Sequence, residues 1–163
     1  MKQKSRGCRN GLKHYLKQPA IPHRYLLFAA SGFYARILMM STRILFVDDD
    51  KDLLELFTTE FTARGLEVFI ARNGEEFHSQ AFKNPPHVIV LDIMLGDENG
   101  VQVYDHLLRN GLDPKIPVVF LSSLATDRVP SPAAPGRSFS LRAKPIHMED
   151  LFKEIMCLAS PAK

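Results

Sequence analysis

The chain is poor in cysteine. Its 163 residues contain two, Cys8 and Cys157, which form neither a CxxC motif nor a metal-ligand spacing. That excludes a disulfide scaffold and a thiolate metal centre, and it fits a reducing compartment, with Cys157 read as a plain core residue on an apolar face. Long hydrophobic runs are also missing. The apolar stretch 25–35 has 11 residues, where a membrane span needs about 20. No internal repeat or low-complexity segment appears, and none of the six histidines has a partner at ligand spacing.

Acidic residues are absent from positions 1–40, which carry eight Lys or Arg. The other 123 residues hold 13 basic and 18 acidic groups, so the net charge of +3 conceals an acidic body and a basic tail. The basicity is therefore no sign of a nucleic-acid-binding domain. The tail combines basic residues, an apolar stretch and small residues, a pattern shared by signal and transit peptides. The favoured reading is a disordered extension, or a segment upstream of a true start at Met39 or Met40, because a basic, Pro-interrupted stretch offers little to a core. With 45% apolar and 24% charged residues, the chain is globular material for one domain, expected over 42–159 with a short tail at 160–163.

Two apolar runs organise that domain. Ile44-Leu45-Phe46-Val47 ends in Asp48-Asp49-Asp50, and Val88-Ile89-Val90-Leu91 ends in Asp92 before a loop from Gly96 to Gly100. Both read as strands buried on two faces, the pattern of a parallel sheet covered by helices. Residues 66–71, 116–121 and 139–143 supply three more strands. Leu53, Leu54, Phe57 and Phe61 recur at helical spacing before Gly65, and Phe77, with Ala81 or Phe82, does so after Asn73-Gly74. Val101, Val103, Tyr104, Leu107 and Leu108 mark a further helix, and Met148, Leu151, Phe152, Ile155 and Met156 the last. Five such units predict an α/β, flavodoxin-like, doubly wound sheet of order 2-1-3-4-5.

In that order strands 1 and 3 are neighbours, roughly 4.8 Å apart, and their carboxyl ends bring Asp48, Asp49 and Asp92 together. Strands 4 and 5 deliver Ser122 and Lys144 to the same rim. Converging carboxylates repel unless a cation joins them. All-oxygen donors select Mg²⁺, with Mn²⁺ also possible, over zinc, and Mg²⁺ keeps positions open for phosphate. A lysine neutralises phosphoryl oxygens and a serine donates to one of them.

Val47-Asp48-Asp49, Val90-Leu91-Asp92 with Gly100 eight residues on, Leu121-Ser122-Ser123 and Lys144-Pro145 together resemble the receiver domain of bacterial two-component response regulators. The resemblance spans 42–159 and implies a cytoplasmic, single-domain phosphorelay switch, not an enzyme. By it, Asp92 is the phosphoacceptor, served by a histidine kinase or histidine phosphotransfer protein. Asp49, Asp92 and the backbone carbonyl of Met94 hold Mg²⁺, and Asp48 acts through water. Ser122 and Lys144 bind the phosphoryl group and act in the switch. Ser123 keeps access open, and Pro145 follows a cis peptide that aims Lys144. Output passes to an unidentified downstream protein, without direct nucleic-acid contact. Asp50 is expected to cap a helix and Asp97 to sit in a loop.

Two departures from the family bear on output. Leu141 stands three residues before Lys144, where the family commonly has an aromatic residue. Of Pro130, Pro132 and Pro135, two fall inside or near the place of the fourth helix, and proline inside a helix costs roughly 3 kcal/mol, so that helix is expected to be shortened or lost. A phosphorylation-independent pseudo-receiver acting as an interaction module is the alternative, and the intact acidic and basic set speaks against it. A haloacid-dehalogenase-type phosphohydrolase, suggested by the DxD of residues 48–50, fits poorly because Asp52 stands where that family expects Thr or Val.

Overall fold

The computed structural model describes residues 42–123 and 138–159. The expectations for the 1–40 extension, the fourth helix and the 160–163 tail lie outside these residues.

Among the described residues the chain runs β1 (Arg43–Val47), α1 (Lys51–Ala63), β2 (Glu67–Ala71), α2 (Gly74–Lys83), β3 (Val88–Asp92), β4 (Met94–Leu95), β5 (Glu98–Asn99), α3 (Gly100–Arg109), β6 (Val118–Ser122), β7 (Phe139–Ala143) and α4 (Met148–Ala159). The main sheet is parallel in the order β2-β1-β3-β6-β7. This is the expected 2-1-3-4-5 order once the small antiparallel hairpin β4–β5, which periodicity does not signal, is set aside.

Alternation along the strands sorts side chains into two cores. Leu45, Val47, Ile89, Leu91, Val118 and Phe120 face α2 and α3, where they meet Phe77, Ala81, Tyr104 and Leu107. Ile44, Phe46, Val88, Val90, Val119 and Leu121 face α1 and α4, against Leu54, Phe57, Phe61, Leu151 and Ile155. Aromatic contacts pin each layer. Phe46 stacks on Phe57 at 4.6 Å, and Tyr104 meets Phe120 edge-on at 5.7 Å, a geometry that the ring quadrupole favours. Ala81 is buried while Phe82 is exposed, which decides the alternative left open by the sequence.

Polar side chains fix where the helices begin. Asp50 Oδ1 accepts from the amides of Asp52 and Leu53 at 2.9 and 3.2 Å, so it caps α1 as expected. Asn73 and Asn99 cap α2 and α3 in the same way, each satisfying amides that have no partner within the helix. At the other end of α1, Gly65 takes φ +85°, and the Leu66 amide donates back to the Phe61 carbonyl at 3.1 Å, closing the helix through a left-handed turn. Arg142 on β7 pairs with Glu154 on α4 at 2.6 Å, holding the strand that leads to Lys144 against its covering helix. Cys157 is half-buried on α4.

His87 ties the start of β3 to β1. Its Nδ1 accepts from the Arg43 amide at 3.0 Å, which requires an unprotonated Nδ1. Burial first, then the Arg43 charge, depress its pKa below the ordinary 6.5. The unfolded chain therefore takes up a proton at a higher pH than the folded one. The stabilisation is complete above about pH 6.5, declines as pH falls from there toward the depressed folded value, and stays lost below it. Chemical denaturation between pH 7.5 and 5.0 should show the wild type losing more stability than His87→Asn, whose amide oxygen accepts at every pH; parallel profiles would contradict this.

Candidate functional site

Each strand of the parallel sheet ends at the same rim, and the register decides which side chains meet there. Val47 at the end of β1 lies beside Leu91 in β3, and Asp92 lies beside Leu121 in β6. Asp48 and Asp49 leave β1 next to Asp92, and one carboxylate oxygen from each of the three falls within 4.8 Å of the others. Asp48 and Asp92 are buried, and Asp49 is exposed. A buried carboxylate needs partners, and the local chain provides several. Asp48 Oδ1 accepts from the Asp50 amide at 3.1 Å, and Asp92 Oδ1 from the Met94 amide at 3.0 Å.

Lys144 closes the site. Its Nζ donates to Asp48 Oδ2 and to Asp92 Oδ2, both at 2.6 Å, joining carboxylates that belong to two strands. The sequence reading placed Lys144 at this rim but did not foresee that it would hold Asp48 as well as Asp92. Burial works against the ammonium, but the hydrogen bonds it donates to Asp48 and Asp92 outweigh it, and the Lys144 pKa rises above 10.5. Burial also pushes Asp48 above 3.8, against the pull of Lys144 and of the Asp50 amide. Desolvation thus dominates at Asp48, whereas at Lys144 the two partners prevail because both carboxylates act on one cation.

Ser122 ends β6, fully buried, and Ser123 beyond it is exposed. The Ser122 carbonyl accepts from the Lys144 amide at 2.8 Å, so the hydroxyl-bearing residue and the lysine share one backbone bridge. Lys144-Pro145 is a cis peptide. Met94 is exposed on β4. Asp50 is exposed and committed to capping α1, so the DxD reading finds only one of its two carboxylates in the cluster. Leu141 is half-buried against the α2–α3 core, and Phe139 at the start of β7 is exposed.

Gly100 opens α3 directly under the site. A Cβ there would overlap the Asp92 carbonyl oxygen and come within 3.3 Å of Leu91 Cδ1. Only glycine lets this helix start so close to the strand end that carries Asp92.

A profile of the response regulator receiver domain matches residues 44–156. The chain belongs to that family. Over 82 residues it is 33% identical to the response regulator SaeR of Staphylococcus aureus, a match that takes in 50% of this chain and 35% of that protein. The match thus covers about a third of the length of such curated relatives. In structure it is similar to the receiver domain of the Francisella response regulator 1452, with 25% identity and a TM-score of 0.64 over 73% of this chain and 97% of that one. A two-component response regulator from Clostridium difficile matches at 25% identity and 0.64, covering 72% and 95%. The chemotaxis protein CheY4 of Vibrio cholerae, at 20% identity, TM-score 0.60 and coverage of 72% and 98%, shares the fold. Receiver domains are signalling modules of two-component systems that take phosphoryl groups from histidine kinases or phosphotransfer proteins and bind Mg²⁺ at an acidic pocket.

The residues of this receiver fit such an ion. Three carboxylates face one ammonium, a surplus of two negative charges that one divalent cation balances. All the side-chain donors are hard oxygens.

Replacing Lys144 with Met should leave Asp48 and Asp92 facing each other uncompensated. Because Lys144 is partly exposed, the expected loss in metal-free buffer is on the order of 1–3 kcal/mol, below that of a fully buried pair, and millimolar Mg²⁺ should restore much of it. Denaturation with and without EDTA measures both, and a metal-independent loss would contradict the balance. Gly100→Ala should cost about 1–3 kcal/mol through overpacking; an unchanged denaturation midpoint would show that the helix start tolerates a methyl group.

Proposed function

We propose that this receiver is a Mg²⁺-dependent phosphoacceptor that takes a phosphoryl group from a histidine kinase or a histidine phosphotransfer protein onto Asp92. The observation that carries the reading is the bridge from Lys144 to Asp48 and Asp92, with Asp49 in the same cluster.

In the transfer step a carboxylate oxygen of Asp92 attacks the phosphorus of phosphohistidine. The new P–O bond forms as the P–N bond breaks, and the imidazole leaves with the electron pair of that bond. Asp49, Asp92 and the Met94 carbonyl would hold Mg²⁺, with Asp48 acting through water. When bound, the ion neutralises charge on the phosphoryl oxygens and orients them for in-line displacement. Lys144 lies within reach of Asp92 and is fully charged at neutral pH, so it can transfer its hydrogen bonds from the carboxylates to the phosphoryl oxygens. The Ser122 hydroxyl donates to another of these oxygens. Ser123 leaves the approach open, and Pro145 fixes the backbone turn that follows Lys144. The donors are arranged before the reaction, which is where a positioned site gains most of its rate advantage.

The functional unit of this proposal is residues 42–159, working in the cytoplasm as a switch and not as an enzyme. Among the described residues no helix is long and apolar enough to cross a membrane. The signal passes to a separate protein partner, without direct nucleic-acid contact by this unit.

Incubation with acetyl phosphate and Mg²⁺ should add one phosphoryl group, read by intact mass. Asp92→Asn and EDTA should each abolish the gain. Phosphorylation that survives Asp92→Asn would place the acceptor elsewhere, and no gain in the wild type would sink the reading.

A further inference from the structure

We propose that Glu98 is a positioning residue for the Asp92 site, acting as a latch that fastens the loop after β3 to the first turn of α2. The inference rests on the phosphoacceptor reading above only for its consequence, since the latch itself is visible in the fold.

Glu98 Oε2 accepts from the Gly74 amide at 2.7 Å, across 24 residues of sequence. Gly74 is the first residue of α2, a ten-residue helix, and its amide lacks an intrahelical acceptor. Asn73 does not serve it, because its side chain accepts from Glu76 instead. The positive end of the helix dipole favours a carboxylate in that place. Space is reserved for it as well. A Cβ at position 74 would stand 2.8 Å from Glu98 Oε1 and 3.2 Å from Val103 Cγ1, so glycine lets the carboxylate seat against the backbone.

The loop held this way is the one that shapes the site. In the β4–β5 hairpin Leu95 pairs with Glu98 and Met94 with Asn99, so fixing Glu98 also fixes the strand that bears Met94. The Met94 amide holds Asp92 Oδ1. Gly96, at the turn of the hairpin with φ +60°, lies beside Asp49, whose Oδ2 is 4.0 Å from where a Cβ would be. Asn99 then caps α3 through the amides of Val101 and Gln102. One loop therefore touches two of the three clustered carboxylates. Its sideways anchor is a carboxylate outside the cluster of Asp48, Asp49 and Asp92. Outer supports of this kind typically change metal affinity by about 10–100-fold when removed.

The test compares Glu98→Ala, Glu98→Gln and Gly74→Ala with the wild type in the full chain. In metal-free buffer, amide exchange followed by NMR should be faster at Gly74 and Met94 in Glu98→Ala, and close to wild type in Glu98→Gln, which keeps an acceptor. Mg²⁺ affinity, titrated on the amides of the 92–99 loop, should fall about tenfold in Glu98→Ala and recover in Glu98→Gln. Gly74→Ala should reproduce the loss by displacing the same carboxylate while leaving Glu98 in the sequence. Unchanged Met94 exchange in Glu98→Ala, or a Gln variant as impaired as the Ala variant, would overturn the latch. If the wild type binds Mg²⁺ but accepts no phosphoryl group, the phosphoacceptor reading fails, and the metal-free exchange data still decide the latch.

Discussion

Two carboxylates from neighbouring strands share one ammonium, and this arrangement is the constraint on which the rest of the molecule depends. Asp48 and Asp92 are buried, so each must be paired, and Lys144 arrives from the far edge of the sheet to pair both at 2.6 Å. Such a group adds little net stability, because the cost of desolvating charges offsets most of the attraction. Its presence at a rim shared by four strand ends, with negative charge in excess, is better explained by chemistry than by folding.

The fold converts strand order into a convergence of side chains at one rim. The continuous apolar strands β1, β3 and β6 fill both faces of the sheet, which leaves the acids and serines at their ends no place except the carboxyl rim. Helix caps then fix the loops that leave the rim, and Gly100 allows α3 to start against Asp92. The carboxylates are thereby held by backbone amides and one lysine.

Much of this was legible in the chain because two-sided burial leaves a plain trace. The apolar runs at 44–47 and 88–91 mark β1 and β3, and the acids that end them mark the rim. Pro117 explains why β6 starts at Val118, since proline has no amide to give the ladder, although its carbonyl still accepts from Ile89 at 3.0 Å. Contacts that join distant segments left no such trace. Nothing in local sequence pairs Glu98 with Gly74, because they sit on separate elements 24 residues apart in polar, glycine-containing stretches. The double hydrogen bond of Lys144 depends on an angle between strands that periodicity does not encode.

The most direct test of the central claim is a crystal structure grown with Mg²⁺ and beryllium trifluoride, a stand-in for the phosphoryl group. The account expects beryllium bonded to a carboxylate oxygen of Asp92, the metal beside Asp49 and Asp92, and Lys144 Nζ with Ser122 Oγ moved onto the fluorines. Saturating ligand with Lys144 still bridging Asp48 and Asp92, and no density on Asp92, would contradict it.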